Sequence, residues 1–156
     1  MPAMYVETSV VSYLVARPSN DVRVAAAQVA TIDWWESRRP AFDVYASELV
    51  NAEASRGDPA AANRRLESIA DLPMLDLNEQ ARELARALLR EGAVPSSGEV
   101  DAYHIAVAAV HGMEYLLTWN CTHIANAARR PAIEAVCRRH GCEPPIICTP
   151  SELMED

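Results

Sequence analysis

The sequence predicts an α/β protein built as a three-layer α/β/α sandwich with a mainly parallel central sheet. Short apolar runs alternate along the chain with longer segments of helical period, the pattern of a parallel sheet covered on both faces. The segment from Val100 to Val110 is apolar nearly all round, which marks a helix buried in the core. Two apolar runs end in a polar residue, at Glu7 and Asn120, and in such folds sites sit at the carboxyl ends of strands.

The chain opens with a strand over Met4 to Glu7, and Thr8-Ser9 offers a cap for the apolar segment Val10 to Ala16. After the turn cluster Pro18 to Asp21, Val22, Val24, Ala25, Val29, Ile32 and Trp35 mark a long helix that stops near Arg39-Pro40. Phe42 to Ala46 reads as a second strand. A helix runs from about Ser47 to Arg56, and Gly57-Asp58-Pro59 separates it from another over Ala60 to Ala70. Pro73 to Leu77 is a short strand, and Asn78 caps an amphipathic helix whose Ala81, Leu84, Ala85, Leu88 and Leu89 follow the 3.6 period to Gly92. Beyond the buried helix, Tyr115 to Thr118 reads as a strand, Pro131 to His140 as a helix and Ile146 to Cys148 as a last strand before a turn at Ser151 to Met154.

At 156 residues, half of them apolar, the chain is expected to form one domain over residues 1–156 with a substantial core. A net charge of −8 argues against a protein that holds nucleic acid by its overall field, so any such contact must be local. The basic residues are all arginine, which suits bidentate phosphate contacts. The N-terminus has no basic leader, and no segment approaches a membrane span of roughly 20 apolar residues, so a soluble cytoplasmic protein is expected. Cys121, Cys137, Cys142 and Cys148 lack zinc-pair spacing and are expected as reduced structural thiols.

Asp101 opens the buried helix, where the helix dipole favours a carboxylate that is still costly to desolvate without a partner. Glu53 lies among small and apolar neighbours, Leu49 to Ala54, which suggests that it faces inward. Carboxylates converging from separate segments normally need a hard cation such as Mg²⁺ or Mn²⁺. Taken singly, each acid has an ordinary structural explanation as a cap, a helix-start acid or a half-exposed side chain. Glu48 and Glu99 flank these acids but are turned away by about 140° and 200° of helix, and so fall outside any shared shell.

In order along the chain, Tyr5-Val6-Glu7-Thr8-Ser9, Ser47-Glu48-Leu49-Val50-Asn51-Ala52-Glu53, Asp101-Ala102-Tyr103-His104-Ile105-Ala106 and Leu116-Leu117-Thr118-Trp119-Asn120 resemble the four motifs of PIN-domain proteins. The resemblance implies a flavodoxin-like α/β/α sandwich and Mg²⁺- or Mn²⁺-dependent cleavage of RNA. For a short single-domain member it implies a VapC-like toxin with a small antitoxin as partner, commonly a homodimer. It places the metal and catalytic site at Glu7, Glu53, Asp101 and Asn120, with Thr8, Ser9 and Thr118 as accompanying hydroxyls. Two positions depart from the family pattern: Glu7 stands where aspartate is usual, and Asn120 replaces a fourth acid. The alternative expectation is a degenerate PIN domain that binds RNA or protein without turnover.

His104 shares the helix face of Asp101, three residues on, and is expected as a hydrogen-bonded core histidine with a supporting role. His111, His123 and His140 have no zinc-ligand spacing and are assigned no chemistry. Arg17, Arg129 and Arg130 are candidate phosphate contacts, and Trp34-Trp35 is expected to close a helix hairpin or a protein interface. A small-molecule phosphohydrolase is disfavoured, because no Gly-rich phosphate loop follows the first strand.

Overall fold

The computed structural model describes residues 1–155; Asp156, the last residue of the expected domain, lies outside them. Five strands form one sheet: β1 (Ala3–Val6), β2 (Asp43–Ser47), β3 (Met74–Leu75), β4 (Tyr115–Leu117) and β5 (Ile146–Cys148). Their order is β3-β2-β1-β4-β5 and all pairings are parallel. The helices are α1 (Thr8–Val15), α2 (Val22–Ser37), α3 (Glu48–Ala54), α4 (Pro59–Ile69), α5 (Glu79–Arg90), α6 (Glu99–Val110) and α7 (Arg130–Arg139). Short 3₁₀ turns occupy 39–41, 96–98 and 150–153.

The predicted three-layer α/β/α architecture is the observed one. From β1 the chain steps outward to β2 and β3, then crosses back to β4 on the other side of β1. Right-handed crossovers put helices of the two halves on opposite faces. Accordingly α1 packs with α2, α3 and α4, whereas α5 packs with α6 and α7. The reversal between β1 and β4 leaves a crevice at their carboxyl ends, the position at which doubly wound sheets carry their sites.

Local chemistry sets the element boundaries. Asp21, Ser47, Asp58 and Asn78 each accept a backbone N–H from the first turn of the following helix, and Pro59 occupies the first position of α4. Gly92 ends α5 at φ +77°, a conformation that favours glycine. Buried Ala81, Leu84, Ala85 and Leu88 are the predicted apolar stripe of α5. α6 buries Ala102 and everything from His104 to Ala109, as its composition requires. Two details differ from expectation. The residue capping α1 is Glu7, not Thr8 or Ser9, because its carboxylate reaches the Ser9 N–H at 3.0 Å. The third strand is two residues long, since only Ala46 and Ser47 of β2 pair with it.

Trp34 is fully buried against Phe42, with ring centroids 5.8 Å apart, so it belongs to the core and not to an interface. Trp35 is half-buried under the Arg39 guanidinium, 4.4 Å from the ring centroid. All four cysteines are free; burial pushes the Cys137 and Cys148 thiols up to about 12, so both are inert core groups.

Candidate functional site

β1 and β4 run side by side in register, Val6 opposite Leu117, so Glu7 and Thr118 leave the sheet together. The Glu7 N–H still bonds the Leu117 carbonyl at 3.0 Å. Thr118 Oγ1 and Ser9 Oγ both donate to Glu7 Oε1 at 2.5 Å, and the Ser9 N–H donates to Oε2. Glu7 is only 5% exposed, and its carboxylate is therefore well satisfied from within. The same hydroxyls tie down the β4 exit: Ser9 Oγ accepts the Trp119 N–H at 2.8 Å and Thr118 Oγ1 accepts the Asn120 N–H at 2.9 Å.

Glu53, in the last turn of α3, is reached from both halves of the fold. Thr8 Oγ1 donates to its Oε1 at 2.8 Å, and His104 Nε2 lies 2.5 Å from the same oxygen. Burial alone would raise the Glu53 carboxyl. The His104 hydrogen bond, with Thr8 and Arg56 in support, outweighs it and holds the group below its ordinary value. Behind His104 stands Tyr5, whose hydroxyl is 2.6 Å from Nδ1 and 2.7 Å from Ser47 Oγ.

Asp101, in the first turn of α6, pairs through Oδ2 with His123 Nδ1 at 2.7 Å. This histidine was assigned no chemistry from the sequence, and the structure places it in the site. The cause is Asn120. Its Oδ1 accepts the backbone N–H groups of Thr122 and His123 at 3.2 and 3.1 Å, folding the loop after β4 back over α6. Gly98, just before α6, makes room for the imidazole: a Cβ there would lie 3.0 Å from His123 Cγ and Nδ1 and 3.0 Å from Val94 Cγ1. The spacing Asn120-x-x-His123 behind a glycine that precedes the helix is the signal that spacing rules for zinc ligands overlook.

Each of the three carboxylates is braced by its own donors: hydroxyls for Glu7, His104 and Thr8 for Glu53, His123 for Asp101. Among the described residues no three His, Cys, Asp or Glu side chains come close enough together to hold a metal ion. Glu7 and Asn120 direct their oxygens to internal bonds. Oε2 of Glu53 and Oδ1 of Asp101 accept no hydrogen bond among the described residues, and both side chains are partly exposed, 28% and 20%. Each is a hard oxygen donor of the chemistry that an ion of the Mg²⁺ type takes, commonly through one or two carboxylates with its waters kept.

Of the candidate phosphate contacts, Arg17 is exposed beyond α1 and Arg129 is half-buried just before α7. Arg130 Nη2 donates to the Ile147 carbonyl at 3.3 Å and so is committed to β5. Glu48 accepts the Leu77 N–H at 3.3 Å.

Among curated proteins no match is found. In fold, the chain is similar to VapBC2 from Rickettsia felis, solved bound to a DNA fragment from their promoter, with a TM-score of 0.59 at 13% identity over 94% of this chain and 98% of that one. A member of the VapBC family of toxin-antitoxin systems from Mycobacterium tuberculosis, VapBC-5, aligns with a TM-score of 0.47 at 22% identity over 76% of this chain and 86% of that one. The PIN domain family model matches residues 4–121, a span that begins within β1 and takes in Glu7, Glu53, Asp101 and Asn120. With that match spanning well over half of its length, the chain belongs to the PIN-domain family.

Proposed function

We propose that this protein is a divalent-metal-dependent ribonuclease and the toxin of a toxin-antitoxin pair. The observation that carries the reading is that Glu7, Glu53 and Asp101 are each braced by their own donors while Glu53 and Asp101 keep one oxygen uncommitted. Glu53 and Asp101 would hold the ion, and an all-oxygen donor set favours Mg²⁺ or Mn²⁺. When bound, the cation supplies Lewis-acid stabilisation of charge developing on the phosphodiester and eases deprotonation of the attacking water.

The chain's own residues do the rest. His104 and His123 hold Glu53 and Asp101 in fixed orientations, and Glu7 with Ser9 and Thr118 fixes the floor between β1 and β4. Such preorganisation lowers the cost of ordering the site when substrate arrives. With a net charge of −8, RNA must be gripped locally, and Arg17 and Arg129 are the proposed phosphate contacts. An antitoxin partner is supported by the fold shared with the Rickettsia VapBC2 structure. Val22, Val29 and Ile32 form an exposed apolar strip on α2, which supports a homodimer. No helix among the described residues is long and apolar enough to cross a membrane, consistent with the proposed action on cytoplasmic RNA.

One observation favours a second reading. Asn120 Oδ1 is occupied by its own loop, which removes a ligand from the fourth position and suits a PIN domain that binds RNA or protein without turnover. Incubating purified protein with single-stranded RNA and Mn²⁺ separates the two. Cleavage that chelator stops and that Glu53→Gln and Asp101→Asn each abolish supports the ribonuclease. Retained RNA binding with no cleavage in Mn²⁺ supports the binding module.

A further inference from the structure

Ser47, Tyr5 and His104 are all fully buried, and with Glu53 they form one continuous chain of hydrogen bonds across the sheet and both helical layers. Only one placement of the protons leaves every member satisfied. Ser47 Oγ already accepts the Val50 N–H at 3.2 Å, so its own hydrogen has Tyr5 as its remaining partner. Tyr5, protonated because burial pushes its phenol well above the ordinary value, then donates to His104 Nδ1. His104 carries its hydrogen on Nε2 and donates to Glu53 Oε1. Reversing the chain sets a bare imidazole nitrogen against a carboxylate and leaves the Ser47 hydroxyl hydrogen without an acceptor. Each reversed contact would bury an unpaired polar group.

A ring held through one nitrogen can swing about that bond; held through both, it cannot. We propose that Tyr5, acting through His104, is a positioning residue that locks Oε1 of Glu53 and thereby keeps Oε2 free as the ligating oxygen. The inference deepens the proposed function and rests on its assignment of Glu53. Tyr5 lies in β1 with no exposed surface, and of the two partners of its hydroxyl the imidazole bonds Glu53 directly, whereas Ser47 caps the helix that carries it. Thr8 adds a second donor to the same oxygen, so both of its bonds fall on Oε1 and none on Oε2.

Two measurements test this. A long-range ¹H–¹⁵N correlation spectrum of the full-length wild-type protein should show His104 with its hydrogen on Nε2 and a bare Nδ1. A hydrogen on Nδ1, or on both nitrogens, would overturn the proposal even if no variant folds. The second is Mn²⁺ affinity by calorimetry, in a double-mutant cycle. Tyr5→Phe keeps the ring and removes only the hydroxyl; it should weaken Mn²⁺ binding about tenfold, the usual scale for partners that orient a ligand. In the His104→Ala background, where the route from Tyr5 to Glu53 is already cut, the same substitution should change nothing further. An unchanged affinity in Tyr5→Phe, or an equal loss in both backgrounds, would overturn the positioning role. Mn²⁺ binding with the predicted coupling but no RNA cleavage would overturn the ribonuclease reading alone, and absence of Mn²⁺ binding by the wild type would overturn both.

Discussion

Thr118 ties the end of β4 to the first acid, and replacing it by valine isolates that contribution. Valine has nearly the same shape, so the substitution removes a hydroxyl from a fully buried position without opening a cavity. Two bonds are lost: the 2.5 Å donation to Glu7 Oε1 and the 2.9 Å acceptance from the Asn120 N–H. A bond to a charged group contributes about 1.5–3 kcal/mol, and a part-buried amide left unpaired costs about 1 kcal/mol more. Thr118→Val should therefore destabilise the protein by about 3 kcal/mol, which for this chain length lowers Tm by roughly 6–12 °C. The assay is reversible thermal or urea unfolding followed by circular dichroism. The charge-assisted part can be separated by repeating the substitution in Glu7→Gln, where the cost should fall by about 1 kcal/mol. A loss under about 0.5 kcal/mol, the level of an ordinary surface change, would refute the view that Glu7 is held by this hydroxyl.

Gly98→Ala should cost about 1 kcal/mol, since crowding against His123 and Val94 at 3.0 Å opposes the gain from a stiffer unfolded chain; in His123→Ala the cost should shrink, and unfolding midpoints of the four proteins check it. Glu53 contributes stability above the ordinary carboxyl value of 4.5, because its folded carboxyl is held lower, and that contribution is lost as pH falls through the folded value. Glu53→Gln should thus show a shallower loss of stability than wild type as the pH is lowered from 4.5, measured by urea unfolding at successive pH values. Asn120→Asp keeps an oxygen for the two N–H groups of the loop and adds an anionic one, so Mn²⁺ affinity should rise in calorimetry; an unchanged affinity would place residue 120 outside the ion's reach.

The architecture was legible because each strand is short and apolar and each helix carries its own stop and start signals, such as Asn78 before α5 and Gly92 after it. The places of two acids in the fold were legible too, Glu7 directly after β1 and Asp101 in the first turn of α6. The partners of those acids were less so. His123 reaches Asp101 only because Asn120 caps a loop and Gly98 lacks a side chain, two conditions that act at a distance in sequence. Glu7 caps α1 and accepts the Thr118 hydroxyl at once, whereas helix-start rules assign the cap to Thr8 or Ser9. Tyr5 looked like one apolar strand residue among several, and its hydroxyl gains meaning only once α3 and α6 are brought against β1.

The central claim is that Glu53 and Asp101 together hold a divalent cation at the switch point of the sheet. Crystals soaked in Mn²⁺ and measured at the manganese absorption edge test it most directly. An anomalous peak in contact with both carboxylates, lost in Glu53→Gln and Asp101→Asn, is the predicted result. A fully exchanged crystal with no peak at the crevice, or with a peak that touches neither acid, would contradict it.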